Sequence, residues 1–239
     1  MKKYWIWAGV LLALFAALLV LAPKAKTRYE QAHIQPEAVF SASMERMATL
    51  NSFGYAIHST FRVQDREEVM SDITGERKGG NVHIRGEMVK SPIDIFYLDG
   101  IIYNYDEIAQ KWMVIESDTG SAAELYINEL NPLIYLDFRE NGMDSAYEFG
   151  ELDGKNCLIA KGKPMMRSEL LDSIWQDFAC TLWMDYEENL VYQVHLTAVN
   201  RNNPASTLDI TASFDRFDEE MELTPPDITK KKPADEEKE

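Results

Sequence analysis

Four histidines are the side chains of this sequence best suited to acid–base or metal chemistry at neutral pH. They are His33, His58, His83 and His195, and they lie far apart in the chain. The last three fall in the polar register of strand-like segments, where we expect them to face solvent. The chain has no His/Cys metal-ligand spacing, no Gly-x-Ser-x-Gly elbow and no phosphate-binding glycine loop. The sequence therefore predicts no metal site, no cofactor and no catalytic residues.

Acidic side chains cluster at one turn, where Glu187 and Glu188 follow Asp185. Two carboxylates can act as general acid and base, but carboxylates in a turn are more often solvated surface residues. A hydrolase of envelope lipids would also need a nucleophile beside a base, and the sequence offers none. We therefore predict a protein that binds without catalysing a reaction.

Cys157 and Cys180 are the only cysteines. In an exported domain they can pair, and a disulfide closing a loop of this length would contribute about 3 kcal/mol. Two buried free thiols are the alternative. The sequence favours the disulfide without excluding the thiols.

The charge of the chain argues against nucleic acid as a partner. It contains 24 Lys and Arg residues and 40 Asp and Glu residues, which gives a net charge of -16. Such a surface repels the phosphate backbone.

An N-terminal apolar segment predicts a membrane anchor over residues 1–22. The segment Tyr4 to Ala22 carries no charge and would span about 28 Å as a helix, close to the ~30 Å hydrocarbon core of a bilayer. A cleaved signal peptide is the alternative, but Pro23 follows Val20-Leu21-Ala22 and makes a poor cleavage site. No cysteine follows the segment, so we do not expect a lipid-modified lipoprotein.

The rest of the chain divides into three parts. A polar linker is expected over residues 23–35, a folded domain over 36–225, and a disordered charged tail over 226–239. Because a very short N-terminal tail usually stays inside, we expect a single-pass protein of the cell membrane whose C-terminal domain is extracytoplasmic.

The folded domain opens with an amphipathic helix. Pro36 is placed to begin it, and Phe40, Met44 and Met47 recur at helical spacing on one stripe. Strict alternation then predicts a half-buried strand through Tyr55 and Ile57.

Most of the remaining sequence alternates as strands do. In "DIFYLDGIIYNYDEIAQKW", residues 94–112, Asp99-Gly100 predicts a tight hairpin turn, and Asp153-Gly154 predicts a second. A further helix is expected after Ser121, and another through Met166, Leu170, Ile174 and Trp175. No alternation of strands and helices suggests parallel pairing. We therefore predict an α+β fold with about nine to eleven antiparallel strands.

Several segments together resemble the bacterial lipoprotein-carrier superfamily, which includes LolA/LolB-like and LppX-like proteins. They are the N-terminal targeting segment, "MATLNSFGYAIHSTF", the hairpin above, and "LWMDYEENLVYQVHL" before a final strand. The resemblance implies a strongly curved antiparallel sheet, a half-open β-barrel whose concave face is covered by helices. It also implies an apolar cavity that binds lipids or the acyl chains of lipoproteins. No individual functional residue is transferred from the family.

These considerations give the predicted site and function. The expected lining of the cavity is apolar and comes from the first helix and the sheet: Phe40, Met44, Met47, Tyr55, Ile57, Ile84, Ile95, Tyr97 and Trp112. The same residues could instead fill a packed core. The leading hypothesis is an anchored carrier or chaperone for an acyl chain, lipid or lipoprotein. The alternative is an envelope interaction or sensor protein with a closed cavity.

Overall fold

Long alternating segments build one sheet of eleven strands in the computed structural model, which describes residues 28–116 and 130–228. The strands are β1 (Ser52–Val63), β2 (Arg66–Lys78), β3 (Asn81–Met88), β4 (Ser91–Leu98), β5 (Ile101–Asp106), β6 (Lys111–Glu116), β7 (Phe138–Leu152), β8 (Lys155–Met166), β9 (Trp175–Asp185), β10 (Leu190–Asn200) and β11 (Ser206–Asp215). The described helices are a single turn at residues 28–31, α1 (Pro36–Thr49), a 3-10 helix (Pro132–Leu136) and α2 (Glu169–Ile174).

The sheet is open and antiparallel. Its strand order is β6-β5-β4-β3-β2-β1-β11-β10-β9-β8-β7, so it consists of two meanders joined where β1 pairs with β11. That seam unites the beginning and the end of the folded domain. The predicted antiparallel sheet is confirmed.

Two of its hairpins turn where the sequence predicted. Asp99 and Gly100 have φ values of 50° and 83°, and Asp153 and Gly154 have values of 51° and 78°. Two consecutive left-handed residues form the tight turn that matches the twist of antiparallel strands. The Asp-Gly pairs therefore set the register of β4 with β5 and of β7 with β8.

Helix α1 begins at Pro36, whose missing N–H costs nothing in the first turn. Glu37 in the first turn and Arg46 in the last complement the helix dipole. Its buried side carries Val39, Ser43 and Met47. Through this side α1 packs on β9 and β10.

We call the face of the sheet under α1 the inner face. In β1, Ile57 lies between Ile73 of β2 and Ala212 of β11, and Val194 of β10 lies opposite both Ala212 and Leu182. All of these side chains are buried with Val39 and Met47 in one core. The inner face therefore supplies most of the hydrophobic stabilisation of the domain.

The segment around residue 170 differs from the prediction of one helix. Strand β8 extends to Met166, α2 spans only Glu169–Ile174, and Trp175 begins β9. Ser168 caps α2 by accepting from the Leu171 N–H at 3.2 Å. Helical spacing over so short a segment was not sufficient to exclude strands on both sides.

Some sequence predictions fall outside the described residues. These are the anchor at 1–22, the helix expected after Ser121, and the tail beyond residue 228. Within 28–116 and 130–228, none of the helices has the length and hydrophobicity needed to span a bilayer.

Candidate ligand-binding cavity

A cavity of about 990 Å³ lies beside α1. This volume is at the upper end of the ~300–1,000 Å³ range typical of small-molecule sites. Its apolar lining comes from α1, the 3-10 helix and β7. The apolar side chains are Phe40, Met44, Met47, Ala48, Leu133, Ile134, Leu136, Phe138, Met143 and Tyr147.

Helix α1 contributes one wall of the cavity. Phe40 and Met44 are half-buried beside the fully packed stripe of Val39, Ser43 and Met47. The Phe40 ring meets the ring of Tyr147 edge to face, with centroids 6.4 Å apart. The helix therefore packs on the sheet with one stripe and lines the cavity with the adjacent one.

The 3-10 helix forms a second wall. Asn131 caps it, since its side-chain oxygen accepts from the Leu133 N–H at 3.2 Å, and Pro132 occupies the first position. The tight helix then places Leu133, Ile134 and Leu136 against the cavity. The lining side chains of this wall are apolar except for the capping Asn131.

The charged side chains of the cavity are three arginines, Arg77, Arg139 and Arg167, and two carboxylates, Glu37 and Asp137. Arg139 and Arg167 each have a carboxylate partner: Arg139 lies 3.2 Å from Asp172 and Arg167 lies 3.1 Å from Asp137. Arg77, on β2, donates through Nε to the carbonyl oxygen of Gly79 at 3.0 Å. Burial lowers the pKa of Arg77 below its ordinary value.

The nine predicted lining residues are only partly brought together. Phe40, Met44 and Met47 line the cavity. The other side chains predicted from the sheet do not line it. Tyr55, Ile57 and Ile84 are buried in the main core, and Ile95 with Tyr97 packs in a smaller cluster around Ile102.

Tyr55 shows how completely these core positions are enclosed. Its hydroxyl donates to the Leu130 carbonyl at 3.4 Å, and burial raises its pKa well above the ordinary tyrosine value.

Trp112 requires a correction, because it lies on the outer face of the sheet. It pairs with Tyr105 across β5 and β6, and its ring contacts Phe96 and Tyr105 at centroid distances of 5.6 and 5.2 Å. Ile95 and Tyr97 alternate with Phe96 and therefore face the other side. Trp112 cannot line a cavity on the inner face.

His83 also requires a correction, since it was expected to face solvent. Its side chain is 14% exposed and its Nε2 lies 2.9 Å from Oδ1 of Asp94, which is 10% exposed. The imidazole stacks on Phe96 at 3.7 Å between centroids. Both faces of this part of the sheet are apolar, so the polar register did not guarantee exposure.

His195 lies 3.0 Å from Asp209 at the surface, and His58 is exposed. Over the two described ranges, no three His, Cys, Asp or Glu side chains come close enough together to bind a metal ion.

The predicted disulfide is wrong. Cys157 and Cys180 are free and buried. Cys180 of β9 lies opposite Gly162 of β8, five residues along the strand from Cys157, a separation of about 17 Å. A disulfide needs Cα atoms within about 7 Å. The alternative of two buried thiols is the correct one.

Sequence reasoning missed the 3-10 helix and the arginines. The apolar run after Pro132, "PLIYLDF", was a usable signal for the 3-10 wall. Arg77, Arg139 and Arg167 are far apart in the chain, and only the strand register brings them to one cavity.

No family model and no curated protein sequence matches this chain. LprF of Mycobacterium bovis has a similar structure, with a TM-score of 0.53 at 11% identity over 80% of this chain and 96% of that chain. Lipoprotein LppX of Mycobacterium tuberculosis has a TM-score of 0.48 at 12% identity, over 78% of this chain and 97% of that chain.

A LolA superfamily protein from Nitrosomonas europaea matches more weakly, with a TM-score of 0.32 at 8% identity over 76% of this chain and 93% of that chain. At such identities the similarity concerns the fold alone. The chain shares the fold of LprF, in agreement with the fold that its sequence resemblance implied.

Proposed function

We propose that this protein binds an acyl chain of a lipid or lipoprotein in the cavity beside α1, as a carrier or chaperone without chemistry. In this proposal the sheet curves into a half-open barrel and the cavity lies on its concave side. The observation that carries the proposal is a cavity of about 990 Å³ lined by apolar side chains, in a domain that shares the fold of LprF.

Burial alone supplies enough free energy for such a ligand. Each methylene moved from water into an apolar site contributes about 0.8 kcal/mol, so sixteen methylenes contribute about 12 kcal/mol before ordering costs. Met44, Met47 and Met143 suit this role, because the flexible thioether adapts to chains of different shape.

A charge placed in the cavity tests the proposal. Met44→Glu puts a carboxylate in the lining, whereas Ala38→Glu adds the same charge at an exposed position of the same helix. All three full-length proteins are purified identically in one detergent, and organic extracts are measured by mass spectrometry. We expect Met44→Glu to lose lipid that wild type and Ala38→Glu retain.

Equal lipid content in the three proteins would contradict the proposal, because detergent and lipid around the N-terminal segment are common to all of them. Thermal melting of each variant shows whether Met44→Glu remains folded. A folded variant without the lipid identifies the cavity as the site.

We extend the proposal to location: residues 1–22 anchor the chain in the cell membrane, and the domain is extracytoplasmic. The uncharged stretch from Tyr4 to Ala22 supports it. An alkaline phosphatase fused after Glu239 would be active only if that end is exported. A fluorescent protein at the same place, bright only in the cytosol, serves as the opposing reporter.

A second candidate function, an envelope interaction protein, is favoured by β6. This terminal strand of the sheet exposes Met113, Val114 and Ile115 by 38, 47 and 44%, and an apolar edge can add a strand from another chain. A photoreactive residue at Val114 should then crosslink to one envelope protein. A probe at the exposed Glu151 of β7 should not.

A further inference from the structure

The cations of the cavity differ in whether an acidic side chain balances them. Arg139 is held by Asp172, and Arg167 is held by Asp137 and also donates to the Phe138 carbonyl at 3.3 Å. Both guanidinium groups are therefore already engaged at the rim. Each has a carboxylate in direct contact, although Arg139 shares Asp172 with Arg201, which lies 2.9 Å from that carboxylate.

Arg77, in contrast to Arg139 and Arg167, has no carboxylate partner among the described residues. Among residues 28–116 and 130–228, no carboxylate forms an ion pair with it, and its hydrogen bond runs from Nε to Gly79. Arg77 is half-buried on the inner face, between Phe53 of β1 and Val82 of β3. This hydrogen bond uses Nε, so the terminal nitrogens Nη1 and Nη2 are further donors on a side chain that lines the cavity. A guanidinium does not lose its proton in proteins, so the charge remains.

The neighbouring carboxylates do not reach Arg77 for structural reasons. Glu76, the preceding residue, alternates to the outer face and accepts from Arg216 at 2.6 Å. Asp137 is committed to Arg167. Glu37 lines the cavity from the first turn of α1.

Glu37 and Arg77 belong to opposite ends of the cavity. The Asn51 carbonyl, just after α1, accepts from the Gly79 N–H at 2.7 Å, so Arg77 lies near the C-terminal end of the helix. Glu37 is eleven residues before Ala48, about 16 Å along the axis. The cavity thus has a cationic end, and its apolar lining runs along α1 towards Phe40.

We propose that the cavity selects an amphiphile with an anionic head, and that Arg77 binds the head while the tail lies along Met47, Met44 and Phe40. This inference rests on the proposed function and specifies its ligand class. A guanidinium binds a carboxylate or phosphate through two parallel hydrogen bonds. A neutral lipid would leave the same half-buried cation without an anion.

The test uses two photoreactive probes with the same sixteen-carbon tail, one a fatty acid and the other the corresponding alcohol. Each is crosslinked to the full-length chain in a non-ionic detergent, and labelled peptides of α1 and β7 are quantified by mass spectrometry. We expect wild type to take up the acid preferentially. Arg77→Gln should lower labelling by the acid about tenfold, as expected for loss of a charged hydrogen bond, and change labelling by the alcohol little.

Matched variants isolate the role of Arg77. Arg139→Gln and Arg167→Gln remove the same charge from cations that already have partners, and they should keep the preference for the acid. Arg77→Lys keeps the positive charge but lacks the paired N–H donors of the guanidinium group, so it should retain part of the preference for the acid. Thermal melting without probe reports whether Arg77 matters for folding alone, and if Arg77→Gln unfolds, Arg77→Lys carries the test.

The outcomes separate the two proposals. If neither probe labels the cavity of wild type, the proposed function fails. If acid and alcohol label wild type equally, or if Arg77→Gln and Arg77→Lys both keep the full preference, the anionic selection is wrong while lipid binding stands. A third outcome is that inorganic phosphate alone raises the melting temperature of wild type but not of Arg77→Gln, and that the sixteen-carbon acid raises it no further. The site then binds a free anion and not an amphiphile.

Discussion

At the scale of single residues, the two buried thiols give a direct prediction. Burial raises the pKa of Cys180 to about 12 and also raises the pKa of Cys157, so almost no reactive thiolate forms at pH 8. We expect iodoacetamide to leave Cys180 of the native chain unlabelled. After unfolding in guanidinium without reductant, both cysteines should be labelled. A disulfide would instead block both until a reductant is added.

Gly75 is a residue whose lack of a side chain shapes the core. A Cβ at this position would lie 2.1 Å from Cζ of Tyr55, and that ring is buried beside Phe53. Gly75→Ala should lower the free energy of unfolding by about 1–3 kcal/mol, the cost of overpacking a core. Gly80→Ala, where a Cβ meets no atom within 4 Å, is the control. Equal melting temperatures would show that the Tyr55 ring moves aside freely.

Trp112 and His83 show the limit of sequence reasoning at this scale. Alternation correctly predicted the strands, but it identifies two faces without saying which one is inside. Ile95 and Phe96 are neighbours on β4 and are both large and apolar, so the sequence does not show which of the two faces is the inner one. Only the pairing of Tyr105 with Trp112 fixes the side of the tryptophan.

At the scale of elements, α1 was predicted as an amphipathic helix, but two of the three positions of its buried stripe are displaced by one residue. The sequence suggested Phe40, Met44 and Met47, whereas the buried positions are Val39, Ser43 and Met47. Hydrophobicity selected the larger side chains, while close packing on β9 and β10 requires smaller ones. Because Val39 and Ser43 pack on the sheet instead, Phe40 and Met44 line the cavity. The sequence predicted both as lining residues but did not predict the packing that places them there.

Glu76 of β2 links its strand to the residue after β11, and the link predicts a pH dependence. The hydrogen bond from Arg216 lowers the pKa of Glu76 below its ordinary value, against the opposing effect of burial. A lowered pKa stabilises the folded state above the unfolded value near ~4.3, and this contribution is lost as pH falls through the folded pKa.

We therefore expect Glu76→Gln to lower the free energy of unfolding by up to about 1 kcal/mol at pH 7, because the pair is partly exposed. The difference from wild type should shrink as the pH falls below ~4. Urea denaturation at several pH values measures both effects. Glu87→Gln, at an exposed position of β3, is the control, and a difference that persists unchanged in acid would exclude the ion pair as its cause.

At the scale of the whole molecule, the sequence predicted an antiparallel sheet but not its seam. The pairing of β1 with β11 joins segments from opposite ends of the domain, and no local pattern encodes a contact so distant in the chain. The same reasoning applies to the cavity. Its walls come from α1, the 3-10 helix, β2 and β7, so its existence depends on both meanders being held in one sheet.

The seam should therefore control the stability of both meanders. Ile210 of β11 is buried opposite Ser59 of β1 and Leu196 of β10, and Ile210→Ala should cost about 2–5 kcal/mol. Because β1 and β11 carry the contacts between the two meanders, we expect hydrogen exchange to accelerate in β3 and β4 and equally in β8 and β9. Leu98→Ala, in a buried position of β4 near the edge, should accelerate exchange mainly in β4 to β6. If Ile210→Ala loosened strands on one side of the seam alone, the two meanders would be separate folding units, and the cavity would form where two such units meet.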